Sequence, residues 1–132
     1  MFTLISPPLL QRLLLTLALC AAMAPAARAV DSSAAFETDL QRLSEILGAL
    51  HHLRGVCGAN EGQKWRAEMQ ALLDAEANTP ERRSKLVASF NRGYRGFQQT
   101  YRTCTPAADA AIRRYLDEGA KIAREITARY TN

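Results

Sequence analysis

The stretch SFNRGYRGFQQTYRTCTP, residues 89–106, carries four aromatics, three arginines and two glycines three apart, and it stops at a cysteine followed by Thr-Pro. On a helical wheel of about 100° per residue it separates into three stripes. Phe90, Tyr94, Phe97 and Tyr101 make an aromatic face, and with Leu86 and Val87 just upstream they form one stripe. Ser89, Gly93, Gly96 and Thr100 make a flank of small residues. Arg92, Arg95, Gln99 and Arg102 lie on the outer side. The spacing predicts a helix from Pro80 to about Arg102 with its aromatic face in the core. Glycine inside a helix costs about 1 kcal/mol relative to alanine. Two of them point to a groove, Ser89–Gly93–Gly96–Thr100, through which a neighbouring helix passes at short range; the alternatives are a groove that admits a ligand or partner segment, and a local bend. The arginines are expected to be exposed, as a solvated face or as a surface for an anion or acidic partner.

Working outward, Thr79-Pro80 and Thr105-Pro106 repeat one signal, an N-cap followed by proline at the first helical position. The second opens a helix from Pro106 to about Tyr130. Its predicted inner arc is Ala108, Ile112, Tyr115, Leu116, Gly119, Ile122, Ala123, Ile126 and Tyr130. Upstream, an apolar arc of Phe36, Leu40, Leu43, Ile46, Leu47, Leu50 and Leu53 predicts a helix from about Ser33, capped by Ser32 or Ser33, to Val56. Gly55 and Gly58 bracket its end. A further helix is expected from about Glu61 to Glu76, with Asn60 and Gln63 at capping-box spacing and Trp65, Met69, Leu72 and Leu73 inward. Four amphipathic helices with short connections, and no strand pattern, make the expected fold all-α, an antiparallel four-helix bundle.

The N-terminus reads as an export signal. Gln11-Arg12 precedes the apolar run LLLTLALCAAM at residues 13–23, and Ala27-Arg28-Ala29 offers a cleavage site. Cleavage after Ala29 is expected. Residues 1–29 are then a signal peptide and residues 30–132 one domain of 103 residues. Its compartment is periplasmic, with no stable membrane span after cleavage. Leu19 stands where a lipoprotein signal centred on Cys20 wants a small residue. Loss of Arg12 and Arg28 takes Lys+Arg from 17 to 15 against 13 acidic residues, so a net charge of +4 falls to +2. That balance, with export, argues against nucleic acid as a partner.

Export also leaves two cysteines, Cys57 and Cys104. In an oxidising compartment they suggest a disulfide. Each follows an odd-numbered helix, and in an up-down-up-down bundle those ends share a pole. Other chemistry is thin. His51 and His52 are adjacent, which points them apart on a helix, and no metal site or cofactor is expected. The segment CGANEGQKWR, residues 57–66, is dense in polar residues, and Glu61, Gln63 and Arg66 are candidates to line a site at that pole. No pair of carboxylates and no nucleophile–base set is marked for catalysis.

Two segments carry a resemblance: GALHHLRGVCGANEGQKWRAEMQALLDAE and RRSKLVASFNRGYRGFQQTYRTCTPAA. Through them the chain resembles a family of small exported alphaproteobacterial proteins of unknown function, over most of residues 40–130. The resemblance implies export and a helical domain, and brings no activity or site residues. The expected role is a non-enzymatic binding domain for a protein or cell-envelope partner. Its contact surface is expected at Arg92, Arg95 and Arg102 together with Glu61, Gln63 and Arg66. The alternative is a small-ligand carrier with a cavity among the aromatics, and a third reading is an enzyme with Glu61 as its only nameable acid. An enclosed void would favour the carrier, and a packed core the partner binder.

Overall fold

The computed structural model describes residues 26–131. They form four α-helices: α1 (Ala26–Val56), α2 (Lys64–Glu76), α3 (Pro80–Thr100) and α4 (Pro106–Ala128), with no strand among the described residues. The apolar run at 13–23 and Cys20 of the predicted export segment lie outside the described residues. A compact unit begins at Phe36, and the described residues before it belong to α1.

Two starts differ from the sequence expectation. Helix α1 begins at Ala26 and runs through Ser32 and Ser33, which therefore do not cap it. Nothing between Ala26 and Ser33 is glycine or proline, so the alanine-rich chain continues as helix. Helix α2 begins at Lys64, and the Asn60–Gln63 capping box does not form. Gln63 is itself the N-cap and makes no side-chain capping bond. The two Thr-Pro starts are present as read: Thr79 Oγ1 accepts from the Arg82 amide and Thr105 Oγ1 from the Ala108 amide.

Contacts fix the helix directions. From α1 to α3 the pairs Glu37–Arg82, Glu45–Arg92 and His52–Tyr101 rise together, so the two helices are parallel. From α1 to α4 the pairs Asp39–Arg129 and Arg42–Glu118 run in opposite order. Across α2 and α3, Arg66 shares a pocket with Tyr94 and Arg95, and Leu73 shares one with Val87, which is again antiparallel. Successive helices therefore alternate in direction. The ends of α1 and α3 meet at one pole, where Cys57 and Cys104 are bonded with 4.7 Å between their Cα atoms.

The core is built on α1. Leu40, Ile46, Leu50 and Leu53 are almost wholly buried there, against Trp65, Met69 and Leu73 of α2, Leu86 of α3, and Ile112, Ile122 and Ile126 of α4. Just beyond the end of α1 stands Gly58, whose φ of +77° is the left-handed conformation that glycine adopts freely. The Ala59 amide reaches the Arg54 carbonyl and the Gly58 amide reaches that of Gly55, a Schellman closure.

The face that α3 buries is not the one centred on Phe90. Its buried residues are Leu86, Ser89 and Gly93, so the buried face is centred near Gly93, about 60° further round the helix. There α1 and α3 touch backbone to backbone. A Cβ on Gly93 would lie 2.0 Å from the Glu45 carbonyl oxygen, and one on Gly48 would lie 2.0 Å from that of Phe90. The predicted small-residue groove holds only in its first half. Gly96 has nothing within 4 Å of a built Cβ, and Thr100 is exposed, its hydroxyl donating to the Gly96 carbonyl. Gly96 sits about 60° off the contact line through Gly93. The aromatics become a half-buried rim: Phe97 stacks on Tyr101 and meets Tyr115 of α4 edge-on. Val87, Leu116, Ala123 and Tyr130 are exposed, although Val87 was expected in the inward stripe of α3 and Leu116, Ala123 and Tyr130 on the inner arc of α4.

Candidate functional site

At the disulfide pole the candidate residues separate into two groups. Glu61 lies in the turn between α1 and α2 and is gripped on both sides. Its Oε1 accepts from Arg54 Nη2 at 2.6 Å, and its Oε2 accepts from Arg54 Nε at 2.8 Å and Trp65 Nε1 at 3.1 Å. The Arg54 guanidinium, and after it the Trp65 indole, hold this carboxyl down to about 2 against an ordinary 4.5. An acid so placed stays ionised and has its oxygens occupied. It fastens the α1–α2 turn and is poorly suited to proton transfer. Gln63 is exposed as the N-cap of α2.

Arg66 belongs to the second group. One turn into α2 it faces α3, and with Arg95 it borders a notch of about 260 Å³ completed by His51, Phe90, Asn91 and Tyr94. Three helices supply these residues, so the notch exists only in the folded unit. Neither Arg66 nor Arg95 has a carboxylate partner among the described residues, and two acids of α1 and the α1–α2 turn are taken by other arginines. Glu61 holds Arg54, and Glu45 holds Arg92 at 3.0 Å and Arg42 at 3.1 Å. His51 lies against Phe90 and Tyr94, and its Nδ1 is buried with no hydrogen-bond partner in the protein. Burial first, then the Arg66 charge and His52, push the His51 imidazole below its ordinary 6.5, toward the neutral form. His52 is occupied differently, with Nε2 at 2.6 Å from the Tyr101 carbonyl.

The notch is thus bordered by two unneutralised guanidiniums, an amide, a phenol and the imidazole ring of His51. No carboxylate, thiol or serine lines it. Guanidiniums present paired N–H donors in the plane that matches a carboxylate or phosphate. Chemically the site can hold an oxyanion.

The arginine stripe of α3 does not act as one surface. Arg92 reaches back to Glu45 and to Ser89 Oγ on the α1 side, Arg95 borders the notch, and Arg102 lies beyond the end of α3. Sequence reasoning missed His51, whose neighbours come from α2 and α3. It also missed Glu76, a buried carboxylate at the opposite pole that accepts from the Tyr130 hydroxyl at 2.7 and 2.9 Å.

A larger hollow, about 410 Å³, opens between α2 and α4 over α1. Leu43, Leu47, Trp65, Leu72, Leu116 and Ala123 are among its walls, and Glu68 is its only charged lining residue. It is an open groove, and the α3 aromatics expected around a carrier cavity do not line it.

Among the described residues no three His, Cys, Asp or Glu side chains group as a metal would require, and no helix is long and apolar enough to cross a membrane. No curated protein and no solved structure matches the chain. The pattern that does match covers residues 35–130, both cysteine-bearing segments and all six residues of the notch, and by it the chain belongs to the family described as Protein of unknown function (DUF2385).

Proposed function

We propose that the chain is an exported, periplasmic, non-enzymatic binding domain that recognises an oxyanion-bearing cell-envelope component or protein at the notch between α1, α2 and α3. The observation that carries this is convergence. Arg66 and Arg95, on different helices and without acidic partners among the described residues, border one hollow with the imidazole of His51. Export is supported by the signal pattern and by the Cys57–Cys104 bond, which suits an oxidising compartment. Cleavage after Ala29 would leave α1 starting at Val30.

Calorimetric titration with inorganic phosphate tests the site. Binding of about millimolar strength is expected, weakening as salt rises. Arg66→Gln and Arg95→Gln should each weaken it about tenfold, whereas Arg83→Gln, at an exposed position remote from the notch, should leave it unchanged. Equal phosphate binding by all four proteins would exclude the notch.

A second reading, a carrier of small apolar ligands, is favoured by the 410 Å³ groove. Trp65 lines that groove, so a quencher carried on an apolar probe distinguishes it: quenching unaffected by Arg66→Gln would support the carrier.

A further inference from the structure

The notch does not end at its arginines. A seam of about 190 Å³ continues from it between α2 and α3, sharing Arg66, Phe90 and Asn91 and running on past Met69, Leu73 and Val87. The hollow is thus polarised. The end toward the disulfide carries positive charge, and the end away from it is walled by Met69, Leu73 and Val87, with the exposed Gln70 amide beside them. Val87 bears on this directly. It is a branched apolar residue 39% exposed on a helix whose other outward positions are mostly polar.

We infer that the ligand of this site is an anionic amphiphile, with a carboxylate or phosphate head against Arg66, Arg95 and His51 and a short apolar chain along Met69, Leu73 and Val87. The inference rests on the oxyanion reading of the notch and adds the tail. A head alone pairs with solvated guanidiniums and binds weakly. A chain in the seam removes methylenes and the exposed face of Val87 from water, which sets the affinity and selects against simple inorganic anions. The chain is short, because the seam ends within about two turns of α2. A monomeric fatty acid and a membrane phospholipid share this chemistry.

The test compares acetate, octanoate, octyl phosphate and neutral octanol by calorimetry on the full domain, with phosphatidylglycerol vesicles in a co-sedimentation arm. Two fully buried methylenes are worth about tenfold in affinity, so in a seam open on one side octanoate is expected to bind at least tenfold more tightly than acetate. Val87→Asn, at an exposed site that tolerates the change, should remove most of that gain and leave acetate binding as it was. Arg95→Gln should weaken acetate and octanoate alike. If acetate and phosphate bind but octanoate binds no more tightly, or Val87→Asn has no effect, the tail inference fails and the oxyanion site stands. If no anion binds, the site itself fails. Octanoate binding unchanged in Arg66→Gln and Arg95→Gln, or matched by octanol, moves the chain to another groove and overturns the inference. Vesicle binding without octanoate binding overturns it too, in favour of a membrane surface.

Discussion

Two glycines three residues apart on α3 should respond to alanine with opposite signs. At Gly93 a Cβ would stand 2.0 Å from the Glu45 carbonyl oxygen, 2.9 Å from its carbon and 3.1 Å from the Ala49 nitrogen. Carbon–oxygen contacts lie at about 3.3 Å even when weakly hydrogen-bonded, so α1 and α3 must part by about 1.3 Å. All three neighbours are backbone, and no flexible side chain can swing aside. Parting the helices forfeits dispersion contacts along the whole crossing. Overpacking of this kind costs about 1–3 kcal/mol, and the rigid neighbours put Gly93→Ala at the upper end. Against this stands a gain of up to about 1 kcal/mol from alanine's helix propensity. The net expectation is a loss of about 2 kcal/mol, or roughly 10 °C in a domain of this size. Gly96 meets nothing within 4 Å. Gly96→Ala should therefore gain about 0.5–1 kcal/mol and raise the melting temperature by a few degrees. Urea unfolding followed by circular dichroism, with the slope m checked for constancy, gives both values. Stabilisation by Gly93→Ala comparable to that by Gly96→Ala would refute the backbone crossing.

Gly48→Ala should destabilise as Gly93→Ala does. The double variant should cost less than the two together, because helices already parted make room for the second methyl. Reducing the Cys57–Cys104 bond, which spans 47 residues of separation, should remove about 4 kcal/mol by loop closure in the unfolded chain. Melts with and without reductant, alongside Cys57→Ser/Cys104→Ser, measure it, and an unchanged melt would contradict the estimate. Glu61 has a depressed folded-state pKa, so its contribution is present above the ordinary 4.5 and lost as pH falls toward about 2. The parent's melting temperature should fall across that window, and Glu61→Gln should start lower and fall less. A parallel decline of the two would contradict the Arg54–Glu61–Trp65 clamp.

The helices and the bridge were legible because they rest on local chemistry. Thr79-Pro80 and Thr105-Pro106 mark starts by capping and by proline's fixed φ, and Gly58 marks an end by its left-handed backbone. The cysteines met because alternating helix directions bring the ends of α1 and α3 together. The rotation of α3 was less legible. Hydrophobic weight favoured Phe90 as the centre of its buried face, yet contact distance favoured Gly93. The missing signal was Gly48, which stands four residues after the buried Ser44 just as Gly93 stands four after the buried Ser89. Two such small pairs on parallel helices announce a close crossing, but only when both helices are read together. Arg66 and Arg95 were visible as basic residues, and each alone looked like an ordinary solvated charge. Their convergence on His51 depends on the register of three helices, which periodicity does not supply.

The most direct measurement of the oxyanion site is the imidazole spectrum of His51 during a phosphate titration at constant pH, with His52 as the internal comparison. His51 Nδ1 is buried and unpartnered, whereas His52 Nε2 already faces the Tyr101 carbonyl. If the notch binds an oxyanion, the His51 ring resonances move in saturable fashion, those of His52 move far less, and Arg66→Gln with Arg95→Gln abolishes the response. If phosphate leaves His51 unmoved, or shifts both rings equally and in proportion to ionic strength, the notch is not an anion site.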